Sequence, residues 1–413
     1  MVNEVLRIDI PNDWDVITLG DYAQIFRGGS PRPIQAFLTT SDQGINWIKI
    51  GDVGAGEKFI ESTEEKIIPE GVSRSRMVYK GDLILSNSMS YGRPYIMNIE
   101  GCIHDGWLVI QKYDRLFNRE YLYYALSSDL TMQQYVAMAA GSSVQNLNKE
   151  KVSKVVLPCP KISEQKKIAE VLSSIDALIV DLQKLIRKKK DIRQGTMQML
   201  VTGKKRLDGF DGEWVKINLS KNSKLKARIG WQGLTTAEYL DEGYSYLITG
   251  TDFKDGQINW NGCHYVDYNR YEQDPNIQVS NGDLLLTKDG TIGKVAYVAD
   301  LTRPATLNSG VFLVKPITDA YTAHFMFYVL ESSVFKDFLQ QLSAGSTINH
   351  LYQKDLVKFD LYVPPTKEEQ EAIAAILFDM DSDIHKLEAK LEKYQKVKQG
   401  MMEELLTGKV RLM

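Results

Sequence analysis

One long phrase in this chain is written twice, and that repetition constrains the fold more than any other feature. Residues Glu164–Leu207 and Glu369–Leu412 align without a gap and share 18 identities over 44 positions, among them Ile168/Ile373, Asp176/Asp381, Gly195/Gly400 and Gly203/Gly408. Chance would supply about three such identities, so the chain carries an internal repeat, and a repeat this long requires two structural units on one plan. The copies end alike, RQGTMQMLVTGKKRL from Arg193 and KQGMMEELLTGKVRL from Lys398. A fainter likeness precedes each copy in the same order. Trp14 answers Trp214, GDLIL from Gly81 answers GDLLL from Gly282, YGRPYIM from Tyr91 answers IGKVAYV from Ile292, and GSSVQNL from Gly141 answers GSTINHL from Gly345. A tandem duplication of roughly 200 residues accounts for all of it.

Within each half the character changes once. Residues 1–157 and 208–363 read as short apolar strands, such as GDLIL, WLVIQ, GDLLLT and GVFLVKP, punctuated by Gly, Asn and Asp turns, with one helix in each near YLYYALSS and FMFYVLES. Residues 158–207 and 364–413 read as long helices. Their apolar residues recur at spacings of three and four: Ile168, Val171, Ile175, Leu178, Leu182 and Leu185 in one, and Ile373, Ile376, Met380, Ile384, Leu387, Leu391, Tyr394 and Val397 in the other. Each seam needs an apolar partner, and the other helix supplies it. The Pro-rich stretches LPCP from Leu157 and VPP from Val363 are expected to stop the preceding strands, and Gly203 and Gly408 to cap the helices in a left-handed conformation. The expected fold is therefore α+β: two homologous, mixed, β-rich domains at 1–157 and 208–363, and two long helices packed as an antiparallel coiled coil with a pseudo-two-fold axis.

Few enzyme classes survive a search for motifs. KDGTIGKV from Lys288 has Lys where a P-loop needs its first glycine and Val after the second lysine, so it reads as a strand turn. No GxGxxG opens a helix, no Asn-Pro-Pro-aromatic tetrapeptide occurs, no proline is followed by Asp as a PD…(D/E)xK nuclease requires, and HExxH and GxSxG are missing. Glu64-Glu65-Lys66 matches ExK by chance. Cys102, Cys159 and Cys263 are dispersed, and the five histidines form no cluster with them, so neither a disulfide frame nor a zinc site is indicated; His104 and His324 read as packed structural residues. No apolar run spans a bilayer, and the N-terminal MVNEVLRIDIPNDW has no export-signal pattern, so the expected location is cytoplasmic.

A pseudo-two-fold pair of domains matches a linear partner with its own local two-fold axis, and duplex DNA, whose half-sites lie about 34 Å apart per turn, is such a partner. The two domains differ strongly in sequence, so their half-sites should differ. Charge weighs on this reading: the chain is at −3 overall, and only residues 158–207, with 12 basic and 5 acidic side chains, are basic. Neutralising phosphates normally supplies non-specific affinity, so a chain this acidic is expected to read bases while a partner supplies much of the backbone grip. The basic run RKKKDIR from Arg187 reads either as a solvated helix face or as a contact with DNA or a partner subunit.

The chain resembles the specificity (S) subunits of Type I restriction-modification systems. The resemblance rests on the Ile10-Pro11…Trp14…Leu19 opening, the paired Leu157-Pro158…Glu164-Gln165 and Val363-Pro364…Glu369-Gln370, the IGKV and NSGVFLVKP text from Ile292 and Asn308, and the paired QG…LxTGKxRL endings at Gln194 and Gln399. It implies a non-catalytic subunit with two target-recognition domains, each reading one part of a split double-stranded DNA sequence, and helices that fix the unread spacer. It also implies two methyltransferase subunits using S-adenosylmethionine as partners and, in the full complex, endonuclease subunits driven by ATP with Mg, none of these cofactors being held by this chain itself. The match loosens at SNSMSYGRP from Ser86, opposite TKDGTIGKV.

Base edges are read by Arg and Lys on guanine, by Asn and Gln on adenine, and more permissively by Ser and Thr. Polar clusters in glycine-punctuated loops are the candidates: Arg27, Ser30 and Arg32; Ser86, Asn87, Ser88 and Tyr91; Ser142, Ser143, Gln145 and Asn146 in the first half. In the second half they are Arg228, Trp231 and Gln232; Lys288, Asp289 and Thr291; Ser346, Thr347, Asn349 and His350. Ordinary turn chemistry is the competing account of each. Two rival functions stay open: a coiled-coil scaffold that binds protein rather than DNA, and a stand-alone DNA-modifying enzyme with an unfamiliar site.

Overall fold

A computed structural model describes residues 9–54, 56–87, 91–139, 147–343 and 350–412. The chain divides into two compact units, residues 1–183 with 389–413, and residues 184–388. The division crosses the middle of both long helices, Ile162–Val201 and Lys367–Leu406, which are 40 residues each and so about 60 Å long at 1.5 Å per residue.

The first unit is built around a five-stranded sheet in the order Gln24–Arg27, Trp107–Gln111, Leu83–Ser86, Pro94–Met97, Phe59–Ile60. It is antiparallel except at its last, parallel pairing. Both faces are covered, which is why its strands read as unbroken apolar runs rather than alternating ones. Leu83, Leu85, Leu108 and Ile110 face helix Arg119–Ser127 and the long helices, while Ile84, Trp107 and Val109 face Ile48, Val78 and Ile103 of a second five-stranded sheet. Each such side chain contributes about 1.5–3 kcal/mol by leaving water. The second unit repeats the plan with Ser223–Lys226, Val311–Pro316, Leu284–Thr287 and Val295–Tyr297. Leu284, Leu286, Phe312 and Val314 face its helices and Leu285, Val311 and Leu313 its second sheet. A two-stranded ribbon closes each unit, Asp15–Thr18 with Val156–Cys159 and Val215–Asn218 with Asp360–Val363. The Val156–Cys159 strand runs through Pro158, because a two-stranded edge needs no N–H there, and stops within LPCP, before Pro160.

Inside each unit the long helices run antiparallel. In the first, Asp176 meets Lys398 at 2.6 Å and Glu164 meets Arg411 at 2.8 Å; in the second, Lys189 meets Asp383, Arg193 meets Asp381 and Arg206 meets Glu369. The buried stripe keeps Ile168, Ile175, Ile373 and Ile384 of the expected seam and shifts by one residue at positions between them. Leu172, Ile179 and Ile186 are buried, whereas Leu178 and Leu185 are 49% and 41% exposed. Apolar residues stand side by side at 171–172, 178–179 and 185–186, so spacing alone does not decide which member of each pair turns inward. The same slip occurs at Ile376, exposed beside buried Leu377.

The paired phrases now have a physical role. Gly203 and Gly408 end the helices at positive φ, +68° and +74°, and pack against Trp214 and Trp14 respectively. Three residues beyond, Arg206 and Arg411 each grip the glutamate that opens the opposite helix: Arg206 holds Glu369 at 2.8 and 2.6 Å, and Arg411 holds Glu164 at 2.8 and 2.9 Å and also Asp13. The neighbouring glutamines clamp the loop before the short helix. Gln165 accepts from Asn118 N and donates to Leu116 O and Pro160 O; Gln370 accepts from Thr322 N and donates to Ala320 O and Pro364 O. Asn118 and Thr322 in turn cap Arg119–Ser127 and Ala323–Glu331. The repeated text is thus a reciprocal lock, written once for each unit.

The Glu164 carboxyl lies below its ordinary value of 4.5, chiefly through its hydrogen bonds from Arg411, with Leu412 N and Trp14 Nε1 adding to the effect. A depressed folded pKa supplies stability above the ordinary carboxylate range and loses it as pH falls through the folded value. Glu164→Gln should therefore lower the melting temperature near pH 7 and flatten its decline below about pH 5; calorimetry from pH 7 to pH 3 checks both, and an unchanged acid slope would remove Glu164 from this role.

Candidate nucleic-acid interface

In each unit the central sheet ends at a corner where two turns meet the end of the first strand. In the first unit the corner is made by residues 27–32, Asn87 and the turn His104–Asp105–Gly106. Gly28 N donates to Trp107 O at 2.9 Å and Gly29 N to Ile103 O at 3.1 Å. A Cβ on Gly28 would stand 2.1 Å from His104 O, so only glycine allows this approach. Four of the candidate residues converge on Asp105. Arg27 Nε and Asn87 Nδ2 donate to its backbone oxygen at 3.0 and 2.9 Å, Ser30 Oγ donates to its carboxylate at 2.7 Å, and Arg32 stands 3.9 Å from Oδ2. The Ser30 hydrogen bond holds the Asp105 carboxyl below the usual carboxylate range. Ser86, fully buried, exchanges hydrogen bonds with the Arg93 backbone, and Tyr91 donates to Tyr135 O at 3.1 Å; both secure the turn rather than face outward.

The second unit builds the same corner from other residues. Asn87 and Lys288 are equivalent: each follows the last rung of its ladder, Ser86↔Trp107 or Thr287↔Val311, and donates its N–H to Gly106 O or Gly310 O at 2.9 Å. By the same register Ala227 stands where Arg27 does, and Ser309 where Asp105 does. The carboxylate here comes from Asp289, beside Gly310, and it is bonded to His350 Nδ1, with which Asp289 also forms a β-bridge. Tyr352 packs on the His350 ring at 4.3 Å. Lys288 lies over the Phe312 ring, and Thr291 is exposed with its carbonyl accepting from Thr287.

Arg228 and Gln232 turn inward instead. Arg228 is 2% exposed, donates to Leu307 O at 2.9 Å and Thr306 Oγ1 at 3.3 Å, and its pKa is lowered by burial. Its Nη1 and the Gln232 Oε1 are buried without a partner among the described residues. Ser88, Ser142, Ser143, Gln145, Asn146, Ser346, Thr347 and Asn349, and the side chain of Trp231, lie outside the described residues.

Sequence reasoning passed over Asp105, although an Asp-Gly pair between the apolar runs GCI and WLVIQ is a turn signal. The run RKKKDIR lies largely on an exposed helix face, where Lys189 and Lys190 pair with Asp383 and Glu388 and Arg193 with Asp381 on the antiparallel helix of their own unit, while Arg187 and Lys188 stay exposed. His104 accepts from Gly106 N through Nδ1, and burial lowers its pKa, so it stays neutral as an acceptor must. His324 packs on Tyr297 at 5.1 Å. All three cysteines are free and buried. Among the described residues no helix is long and apolar enough to cross a membrane.

Comparison with known proteins points one way. The family pattern described as Type I restriction modification DNA specificity domain matches residues 11–194 and again 204–395. The MjaVIII Type I restriction enzyme specificity subunit of Methanocaldococcus jannaschii is 24% identical over 99% of this chain and 96% of its own length. The EcoBI specificity subunit of Escherichia coli is 22% identical over 89% and 80%. Among solved structures, the S subunit from M. genitalium superposes with a TM-score of 0.61 at 15% identity, covering 97% of this chain and 98% of that one, a likeness of fold.

Proposed function

The chain belongs to the Type I restriction-modification DNA specificity family, and from that premise we propose that it reads a split DNA target of two unlike halves, one with each unit. DNA target recognition is the family's task. The finer reading is carried by one observation: a single scaffold corner occurs twice, and the polar groups it presents are Arg27, Arg32 and Asp105 in one unit but Lys288, Asp289 and His350 in the other. A repeated frame with unlike hydrogen-bonding groups suits two different base sequences.

In this reading the subunit performs no chemistry of its own. It binds double-stranded DNA and directs two methyltransferase subunits, which use S-adenosylmethionine, and endonuclease subunits driven by ATP with Mg. Relatives bear the name of specificity subunits of Type I restriction enzymes, which supports this division of labour. The exposed members of each corner reach bases, whereas buried Ser86, Asn87, Arg228 and Gln232 hold the loops that carry them. Leu147 N donates to Asn87 O and Leu351 N to Lys288 O, which ties the chain at Leu147 and Leu351 to the same corners; Gln145, Asn146 and Asn349 remain candidates by their residue type.

Exchanging residues 1–157 for those of a relative with another target, in a complex assembled with methyltransferase subunits, should change one half of the methylated sequence and leave the other. Mapping methylated sites in both complexes checks this. An unchanged methylated sequence would favour the protein-binding scaffold instead.

A further inference from the structure

We propose that Arg27 reads a guanine in the half-target of the first unit and that Asp105 is its positioning residue, an assignment that rests on the DNA-recognition reading above.

Arg27 is fixed at three levels. Its backbone is held because its carbonyl accepts from Arg76 Nε at 2.9 Å, while the Arg76 guanidinium lies 4.7 Å from the Phe26 ring centre. The chain just beyond it is pinned by Gly28 and Gly29 onto residues 103–107. Its side chain is then oriented by Nε donating to Asp105 O. The two terminal nitrogens are left for a ligand: the side chain is 55% exposed, and Nη2 stands 4.0 Å from Asp105 Oδ2, beyond hydrogen-bond distance.

A guanidinium held by Nε presents a fork of two parallel donors. Guanine offers two adjacent acceptors, N7 and O6, in the major groove, whereas adenine offers one acceptor beside a donor, so this fork separates the two. The fixed Asp105 carboxylate bears on the choice between base and phosphate. Beside an anion, the pull of Arg27 on a phosphate is offset, while its hydrogen bonds to a neutral base edge are not. Arg32, 85% exposed, carries the local excess of positive charge. The second unit has Ala227 and Ser309 at the equivalent positions, so it has no such reader, and the effect is confined to one half-target.

The test uses the full-length chain assembled with methyltransferase subunits and a pool of randomised duplexes from which bound sequences are selected. Wild type should enrich two sequence blocks. Arg27→Gln should lower the preference for guanine at one position of one block by about 10- to 100-fold and leave the other block intact. Asp105→Asn, which keeps the backbone oxygen that receives Arg27 Nε and removes the carboxylate beside the fork, should reduce discrimination at that same position and leave the other block intact. In the double variant Asp105→Asn should add nothing to Arg27→Gln, since it acts through Arg27. Equal weakening on all sequences with a shallower salt dependence would make Arg27 a phosphate contact and overturn the proposal, as would unaltered enrichment. If wild type itself enriches no sequence, the recognition reading fails, and this inference with it.

Discussion

Gln165→Leu is expected to destabilise the first unit by about 3 kcal/mol, since a buried backbone group left without its partner costs about 1–3 kcal/mol and this change strands three. The Gln165 amide is fully buried. It satisfies Asn118 N at 2.8 Å, Leu116 O at 3.0 Å and Pro160 O at 2.9 Å, and leucine has nearly its shape and none of its polarity. Asn118 also caps Arg119–Ser127, so the loss spreads to a helix whose residues 121–126 are all buried. Gln370→Leu should do the same to the second unit through Thr322, Ala320 and Pro364. Denaturant unfolding followed by hydrogen exchange in each unit measures both, and a loss below about 1 kcal/mol would mean that water replaces the amide.

Arg193→Met should cost the second unit about 3–5 kcal/mol, the usual result of removing one partner from a buried charge group. Arg193 Nε holds Asp381 at 2.8 Å, Nη2 holds Glu331 at 2.6 Å, and Tyr328 OH bonds the same aspartate at 3.1 Å. Burial raises the Glu331 pKa even with the arginine present, so without it the carboxyl rises further. A raised folded pKa gives stability below the unfolded value that is lost as pH rises, so the deficit of the variant should be smaller near pH 5 than near pH 8. Adding Glu331→Gln should return part of the loss. The first unit has Lys398 on Asp176 and Ser127 in place of Glu331, so Lys398→Met strands one carboxylate rather than two and should cost less. Equal penalties for the two variants would contradict this account.

The duplication, the strand runs and the long helices were legible in the sequence because each is a repeat or a period that the chain writes out. WLVIQ and GVFLVKP are continuous apolar runs because their sheets are covered on both faces, and no turn residue interrupts them. The helical seam was legible at Ile168 and Ile175 but not between and beyond them, since Val171-Leu172, Leu178-Ile179 and Leu185-Ile186 offer two equal choices that only packing on the lobe decides. The candidate corner was legible in part. Arg27, Ser30, Arg32 and Asn87 share a loop chemistry that pattern can find, but their convergence on Asp105 joins positions some 20 to 80 residues apart. Arg228 looked like a reader because arginine in a loop usually faces water, and only tertiary contacts with Thr306 and Leu307 turn it inward.

The reciprocal lock also orders events at the ribosome. Residues 184–388 make up the second unit entirely, whereas the first needs residues 389–413 to cover Trp14, Ile168 and Leu172 and to neutralise Glu164. The lobe translated first is therefore finished last: throughout synthesis of the intervening 205 residues its apolar flank lacks the cover that Leu405, Leu406 and Arg411 bring.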